Sequence, residues 1–222
     1  MLACIPDVLS PDAVKKVQEW MNAADFIDGK KTAGFRAKRV KNNEQVGRNA
    51  ADRGDINALV LSAINDNTDF RAFAMPRHVQ TPLLSRYRDG MEYGLHVDDP
   101  LMGPQRQWRT DLSITVFLTQ PDAYDGGELE VHDGFGVQMV KLPAGSAVVY
   151  PSSTLHRVTP VTRGERLAAV TWAQSIIRDH AHRQILQDLD KIRRKLSALA
   201  ADAPETDLAF KTYANILREW SE

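Results

Sequence analysis

A single cysteine, Cys4, stands in the whole of the 222-residue chain. An intramolecular disulfide is therefore excluded, as is a thiolate zinc cluster built from this chain alone. No apolar run approaches the roughly 20 residues that span a bilayer, and the opening MLACIPDVLS carries no basic stretch followed by a long apolar segment. The expectation is a cytoplasmic protein with no membrane partner. A surplus of charge of either sign is missing too: 28 Lys and Arg balance 29 Asp and Glu, for a formal net charge of −1. A general nucleic-acid binder needs a basic surplus to displace counterions from phosphates, so no nucleic-acid partner is expected. Gly126-Gly127 is not followed by Gly-Lys-Ser/Thr and reads as a turn rather than a phosphate loop. What is present, 43% hydrophobic and 26% charged residues, is the make-up of a globular protein with one core-forming domain.

Ser10-Pro11-Asp12 reads as an N-cap with Pro at the first helical position, and Val14, Val17, Trp20 and Met21 mark one face of the helix that follows. Residues 28–55 are polar, with a basic run Arg36, Lys38, Arg39 and Lys41, and suggest loops plus one solvated edge strand. A second helical stripe, Ile56, Leu59, Val60, Ala63 and Ile64, falls in residues 56–73. Short apolar runs then appear at residues 83–88, 112–118, 127–131, 137–142, 147–150, 157–161 and 167–172, separated by turn signals such as Asp89-Gly90 and Asp133-Gly134. Seven close-set strands that do not alternate with helices predict an antiparallel sandwich or barrel and disfavour a parallel sheet. Beyond Ser175, Ile185, Leu186, Leu189, Ile192, Leu196 and Leu199 form one helical stripe, and Leu208, Tyr213, Ile216, Leu217 and Trp220 another after Pro204. The chain thus divides into a main domain over residues 1–177, its core at about 78–177, and a two-helix extension over 178–222 whose apolar stripes offer a surface for a homo-oligomer.

The chemistry starts at Tyr93-Gly94-Leu95-His96-Val97-Asp98. On a strand running into a loop, residues i and i+2 point to the same side, so His96 and Asp98 can share one metal ion. By composition alone, 6 His and 20 Asp in 222 positions give such a spacing about half a time per chain, so the pair needs support. His156 can supply it, because an antiparallel barrel can bring its strand beside that of His96. Two imidazoles and a carboxylate on one face of an octahedron form the facial triad of non-haem Fe(II) oxygenases. Arg166 lies ten residues further on, where a turn at Arg163-Gly164 would fold its strand back beside His156. There its guanidinium would offer a bidentate fork to the far carboxylate of a dicarboxylate. Taken alone, Arg166 would be an ordinary strand ion pair.

His96-x-Asp98, His156 and Arg166, in this order on a short-stranded β-core, resemble the Fe(II)/2-oxoglutarate-dependent dioxygenases. The closer resemblance is to the bacterial PKHD-type hydroxylases, the group that includes the iron-uptake-associated PiuC-like proteins. It is carried by Thr32-Ala33-Gly34, Val40-Lys41-Asn42-Asn43, the run from Ser85-Arg86-Tyr87 to Asp98-Asp99-Pro100, Arg109-Thr110-Asp111-Leu112-Ser113, Asp125-Gly126-Gly127-Glu128-Leu129, the run from Pro151 through His156 to Val158, and Thr162-Arg163-Gly164-Glu165-Arg166. The resemblance implies a mainly β, α+β fold. Its core would be a double-stranded β-helix (jelly roll), with N-terminal helices packed on it and a C-terminal two-helix extension. It further implies Fe(2+) on His96, Asp98 and His156, Arg166 on the C5 carboxylate of 2-oxoglutarate, O2 as oxidant and ascorbate as activator. The reaction would couple decarboxylation of 2-oxoglutarate to succinate and CO2 with hydroxylation of a small-molecule or peptide substrate, in a setting linked to iron uptake. Ala168 stands where some such enzymes carry a Ser two residues after the Arg, so another helper is called for. Tyr87 is the candidate, with packing in the strand as its competing role.

Three other readings use the same residues. A jelly roll that holds a metal and a dicarboxylate without turnover has the same ligands. A zinc hydrolase would use the two His and the Asp but leave Arg166 without a task. A structural β-domain with scattered His would bind no metal. Of the remaining groups, Ser113 and Thr115 are expected to satisfy backbone with their hydroxyls, His132 and Asp133 to form a turn, and His180 and His182 to be solvated. His78 has no assigned partner. Met102-Gly103-Pro104 and Trp108 suggest a lid over the barrel mouth, and Lys41 with its basic neighbours an edge that could select an anionic substrate.

Overall fold

The computed structural model describes residues 2–47, 50–88, 90–103, 107–134 and 136–222. In chain order the strands are β1 (Ala3–Ile5), β2 (Phe26–Asp28), β3 (Lys41–Asn42), β4 (Glu44–Val46), β5 (Pro76–Val79), β6 (Leu83–Tyr87), β7 (Glu92–His96), β8 (Leu101–Met102), β9 (Trp108–Arg109), β10 (Leu112–Phe117), β11 (Asp125–Gly126), β12 (Leu129–Asp133), β13 (Gly136–Val140), β14 (Ala147–Pro151), β15 (Leu155–Val158), β16 (Val161–Arg163) and β17 (Arg166–Ser175). The helices are α1 (Pro11–Ala23), α2 (Arg53–Asp66), α3 (Thr68–Ala74), α4 (His180–Leu199) and α5 (Pro204–Trp220). A large sheet runs β1-β14-β10-β17-β6-β4-β2, with β5 beside β17, and a small one runs β13-β12-β15-β7-β3. The pairings are antiparallel. The two sheets face each other as a jelly roll.

Period-two alternation decides what each face of the large sheet meets. On β10, Leu112, Ile114 and Val116 join Val14, Val17 and Met21 of α1 and Val60 and Ile64 of α2 in one buried cluster. The residues between them, Ser113, Thr115 and Phe117, turn toward the small sheet. On β17, Leu167, Ala169 and Ala173 belong to the helix-facing core, whereas Arg166, Val170 and Trp172 line the space between the sheets. A sheet buried on both faces reads in sequence as a continuous apolar run, which is why residues 112–118 and 167–172 stood out. On β10 the polar residues, Ser113 and Thr115, are the ones aimed inward, whereas Thr171 of β17 lies on the other side and donates to the Gln80 carbonyl.

Several elements differ from expectation. The helix proposed within residues 56–73 breaks at Asn67, whose extended backbone ends α2 and whose Oδ1 accepts from the Phe70 N–H to cap α3. The first residues form an edge strand, β1 on β14. Residues 28–55 contain β3 and β4 besides two short 3-10 turns, not one edge strand. The run 157–161 is two strands, because Pro160 has no N–H for a ladder. Most consequentially, Arg166 does not fold back beside His156: its strand pairs with β10 and β6, while β15 pairs with β12 and β7. Arg166 therefore reaches the interior from the opposite sheet. The turn at Asp89 and the lid residue Pro104 lie outside the described residues.

The C-terminal helices pack through Tyr213, Ile216, Leu217 and Trp220 against Met75, Ile177 and Leu186, and Trp220 stacks on His182, so that His is not simply solvated. Among the described residues no helix is long and apolar enough to cross a membrane. Replacing Ile114, fully buried in the central strand, with Ala is expected to cost about 2–5 kcal/mol in urea unfolding. Replacing Leu208, 59% exposed on α5, is expected to cost under about 0.5 kcal/mol.

Candidate metal and co-substrate site

His96 ends β7 and His156 lies on β15, and the two are cross-strand partners. Each ring is held from behind. His96 Nδ1 lies 2.8 Å from the Gly94 carbonyl oxygen, and His156 Nδ1 lies 2.9 Å from that of Thr154. A carbonyl only accepts, so each Nδ1 is the ring's N–H donor and each Nε2 is the nitrogen left to face a metal. Those Nε2 atoms flank Asp98: His96 Nε2 is 3.8 Å from Oδ1 and His156 Nε2 is 3.7 Å from Oδ2. One ligand atom from each of the three residues falls within 4.8 Å of the others. Burial, and then the neighbouring His156, push the His96 imidazole down to about 4 against the pull of Asp98, which keeps it a neutral donor at physiological pH.

Asp98 is aimed by Ser113, whose hydroxyl donates to Oδ2 at 2.5 Å and lies 2.8 Å from Ser152 Oγ. This corrects the expectation that Ser113 satisfies backbone. The signal was in the sequence: hydroxyls at 113 and 115 alternate with Leu112, Ile114 and Val116 on a strand buried along its whole length.

Arg166 is 1% exposed. Its guanidinium carbon lies 5.2 Å from the Tyr87 ring centre and 5.3 Å from that of Phe117. Among the described residues no carboxylate lies within ion-pair distance of it, and its Nε has no hydrogen-bond partner. Gly127, at φ +66, makes room for it, since a Cβ there would come within 3.0 Å of Arg166 Cδ. Tyr87 sits directly across from Arg166 in the ladder, and burial pushes its phenol up to about 12 against the guanidinium's pull, so it stays a neutral hydrogen-bond donor. Both residues line the same cavity as His96, Asp98 and His156.

Other expectations fare differently. Arg36, Lys38 and Arg39 are exposed, but Lys41 is not solvated: it is 5% exposed and lines the cavity. Burial lowers its ammonium to about 8, while Asp98 and Asp28 hold it up. Met102 also lines the cavity, and Trp108 meets His78 edge-on at 4.9 Å, giving that histidine a partner. His132 stands apart, 3.5 Å from Glu130.

Two imidazoles and a carboxylate suit a divalent first-row metal such as iron, and a buried guanidinium with no carboxylate beside it among the described residues suits a ligand anion. The donor set therefore fits Fe(2+) with a dicarboxylate. Residues 82–174 match the family described as the 2OG-Fe(II) oxygenase superfamily, and fold and site together define that class. The chain is 45% identical over 223 residues to a PKHD-type hydroxylase of Synechococcus sp. (strain JA-3-3Ab), and 46% identical over 224 residues to the PKHD-type hydroxylase YbiX of Shigella dysenteriae. Both matches cover 100% of each partner. The chain belongs to the PKHD-type hydroxylases. Among solved structures, a Pseudomonas putida prolyl-4-hydroxylase shares the fold with a TM-score of 0.54 at 20% identity, over 78% of this chain and 92% of that one.

Ser113→Ala removes the donor that orients Asp98. It is expected to weaken Fe(2+) binding about 10- to 100-fold in an anaerobic metal titration, with little change in the urea midpoint.

Proposed function

We propose that the chain is a 2-oxoglutarate-dependent hydroxylase in which His96, Asp98 and His156 hold Fe(2+) and Arg166, helped by Tyr87, holds the C5 carboxylate of 2-oxoglutarate. The observation that carries the reading is the coincidence, in one cavity, of three convergent ligand atoms with a buried guanidinium that has no carboxylate partner among the described residues. When bound, iron with 2-oxoglutarate and O2 supplies the oxidation, releasing succinate and CO2 as a C–H bond of the substrate is hydroxylated.

The protein supplies position and dryness. The Gly94 and Thr154 carbonyls fix the ring orientations by accepting from Nδ1, so that each Nε2 is the atom turned toward the metal. Ser113 fixes the carboxylate rotamer. Arg166 gives a bidentate fork, with the Tyr87 hydroxyl as a neutral donor beside it. Leu129, Val158 and Val170 line the cavity walls and exclude water from the oxidising step. Ascorbate activation, a cytoplasmic location, a link to iron uptake and self-association through the C-terminal helices belong to the same proposal. Ascorbate and the iron-uptake link rest on the resemblance, the cytoplasmic location on the lone cysteine, and self-association is supported by Ile192, Leu199 and Leu208, all more than half exposed.

Anaerobic titration of the apo-protein with Fe(2+) and then 2-oxoglutarate is expected to give a weak visible charge-transfer band. Asp98→Ala should abolish it. Arg166→Ala should raise the 2-oxoglutarate needed for half-saturation by about 30-fold or more, the cost of truncating one partner of a buried charge pair. Succinate release under air then separates a hydroxylase from a protein that only holds the ligands. A folded wild-type protein that shows no band would sink the reading.

A further inference from the structure

The cavity contains a second buried cation that the metal and 2-oxoglutarate do not use. Lys41 lies on β3 opposite Tyr93 on β7, with its ammonium 5.0 Å from the centre of the Tyr93 ring. Tyr93 in turn lies flat on His96, 3.6 Å between ring centres and 17° between planes. The ammonium makes one hydrogen bond, to Thr32 Oγ1 at 3.2 Å. Thr32 is itself committed: its one hydroxyl proton faces both the Gly29 carbonyl oxygen at 3.0 Å and Gln45 Oε1, and Gln45 Nε2 donates to Ser85 Oγ at 3.2 Å. This relay turns an oxygen lone pair toward Lys41 and leaves two of the three ammonium protons without a partner among the described residues. No carboxylate among those residues comes within ion-pair distance of it, and its charged neighbours, Asp98 and Asp28, act from further off.

A buried ammonium with one direct partner, and with Asp98 and Asp28 beyond ion-pair distance, still bears a desolvation cost, and an arriving anion offsets it. The two cations of the cavity come from different sheets, Arg166 from the large one and Lys41 from the small one, on the flank of His96. Gly94 allows this, since a Cβ there would come within 2.9 Å of Val40 Cβ and hold β3 off β7.

We propose that Lys41, set by Thr32, is the anchor for a carboxylate of the hydroxylated substrate, which is therefore a small carboxylic acid whose apolar part lies against Tyr93. One ammonium with a single hydrogen-bond partner among the described residues matches a monoanion, whereas a phosphate dianion calls for a further cation. The assignment rests on the reading of the cavity given above and adds its substrate class.

The test uses Zn(II)-loaded protein saturated with 2-oxoglutarate, so that Arg166 is occupied, and follows the amide NMR signals of Thr32, Lys41 and Tyr93 during titration with acetate, acetamide or inorganic phosphate. Acetate is expected to bind saturably, at least about tenfold more tightly than its neutral counterpart acetamide and more tightly than phosphate. Lys41→Met and Lys41→Gln should each weaken acetate about tenfold or more, Lys41→Arg by less than about threefold, and none should weaken 2-oxoglutarate as Arg166→Ala does. The acetate and acetamide comparison needs no variant. Absence of saturable acetate binding, equal binding in Lys41→Met, tighter phosphate binding, or a 2-oxoglutarate defect in Lys41→Met as large as that of Arg166→Ala would each overturn the assignment. Failure of the unaltered protein to bind 2-oxoglutarate would instead overturn the preceding reading, and this one with it.

Discussion

Taking a guanidinium out of water with no carboxylate beside it costs several kcal/mol, and the interior between the two sheets is organised around that cost. Arg166 is held between the faces of Tyr87 and Phe117, two aromatic rings that attract a cation without neutralising it. The space beside its chain exists because Gly127 has no side chain. A protein that needed Arg166 only for stability would have given it an acid. This one leaves the positive charge facing a cavity, where a ligand anion gains most from it because water is excluded.

The same logic of low-dielectric positioning runs through the opposite wall. The two imidazoles come from adjacent strands of the small sheet, and Asp98 comes from the chain just after β7, so one short stretch of backbone carries two of the three ligands. Backbone carbonyls, not mobile side chains, set both ring orientations, and a hydroxyl from the large sheet sets the carboxylate. Ser113 thereby ties the two sheets together at the point where their separation matters most. The rigidity is inherited from strands buried on both faces, with α1 and α2 pressing the large sheet from outside.

Much of this was legible in the sequence because it follows from alternation. His96 and Asp98 had to share a side, and residues 112–118 and 167–172 had to be central strands, since uninterrupted apolar runs suit a sheet covered on both faces. Ser113 was legible in principle and misread, because a lone hydroxyl on a strand is usually a matter of backbone. Lys41 was not legible: a lysine in a run with Arg36, Lys38 and Arg39 looks like a solvated edge, and only the pairing of β3 with β7 takes it out of water. The break at Asn67 escaped for a similar reason, as the apolar stripe continues across it while one side-chain cap redirects the chain.

By itself the sequence determined which side chains could do the chemistry and that they would sit on short antiparallel strands, because ligand type and period-two spacing are local properties. Only the tertiary structure decided which sheet each one came from. It placed Arg166 across the interior from His156 rather than beside it, put Tyr87 opposite Arg166, and buried Lys41. Strand order in a sandwich depends on pairings between segments far apart in the chain, and those are chosen by the joint burial of both faces, a quantity that no local stretch of residues contains.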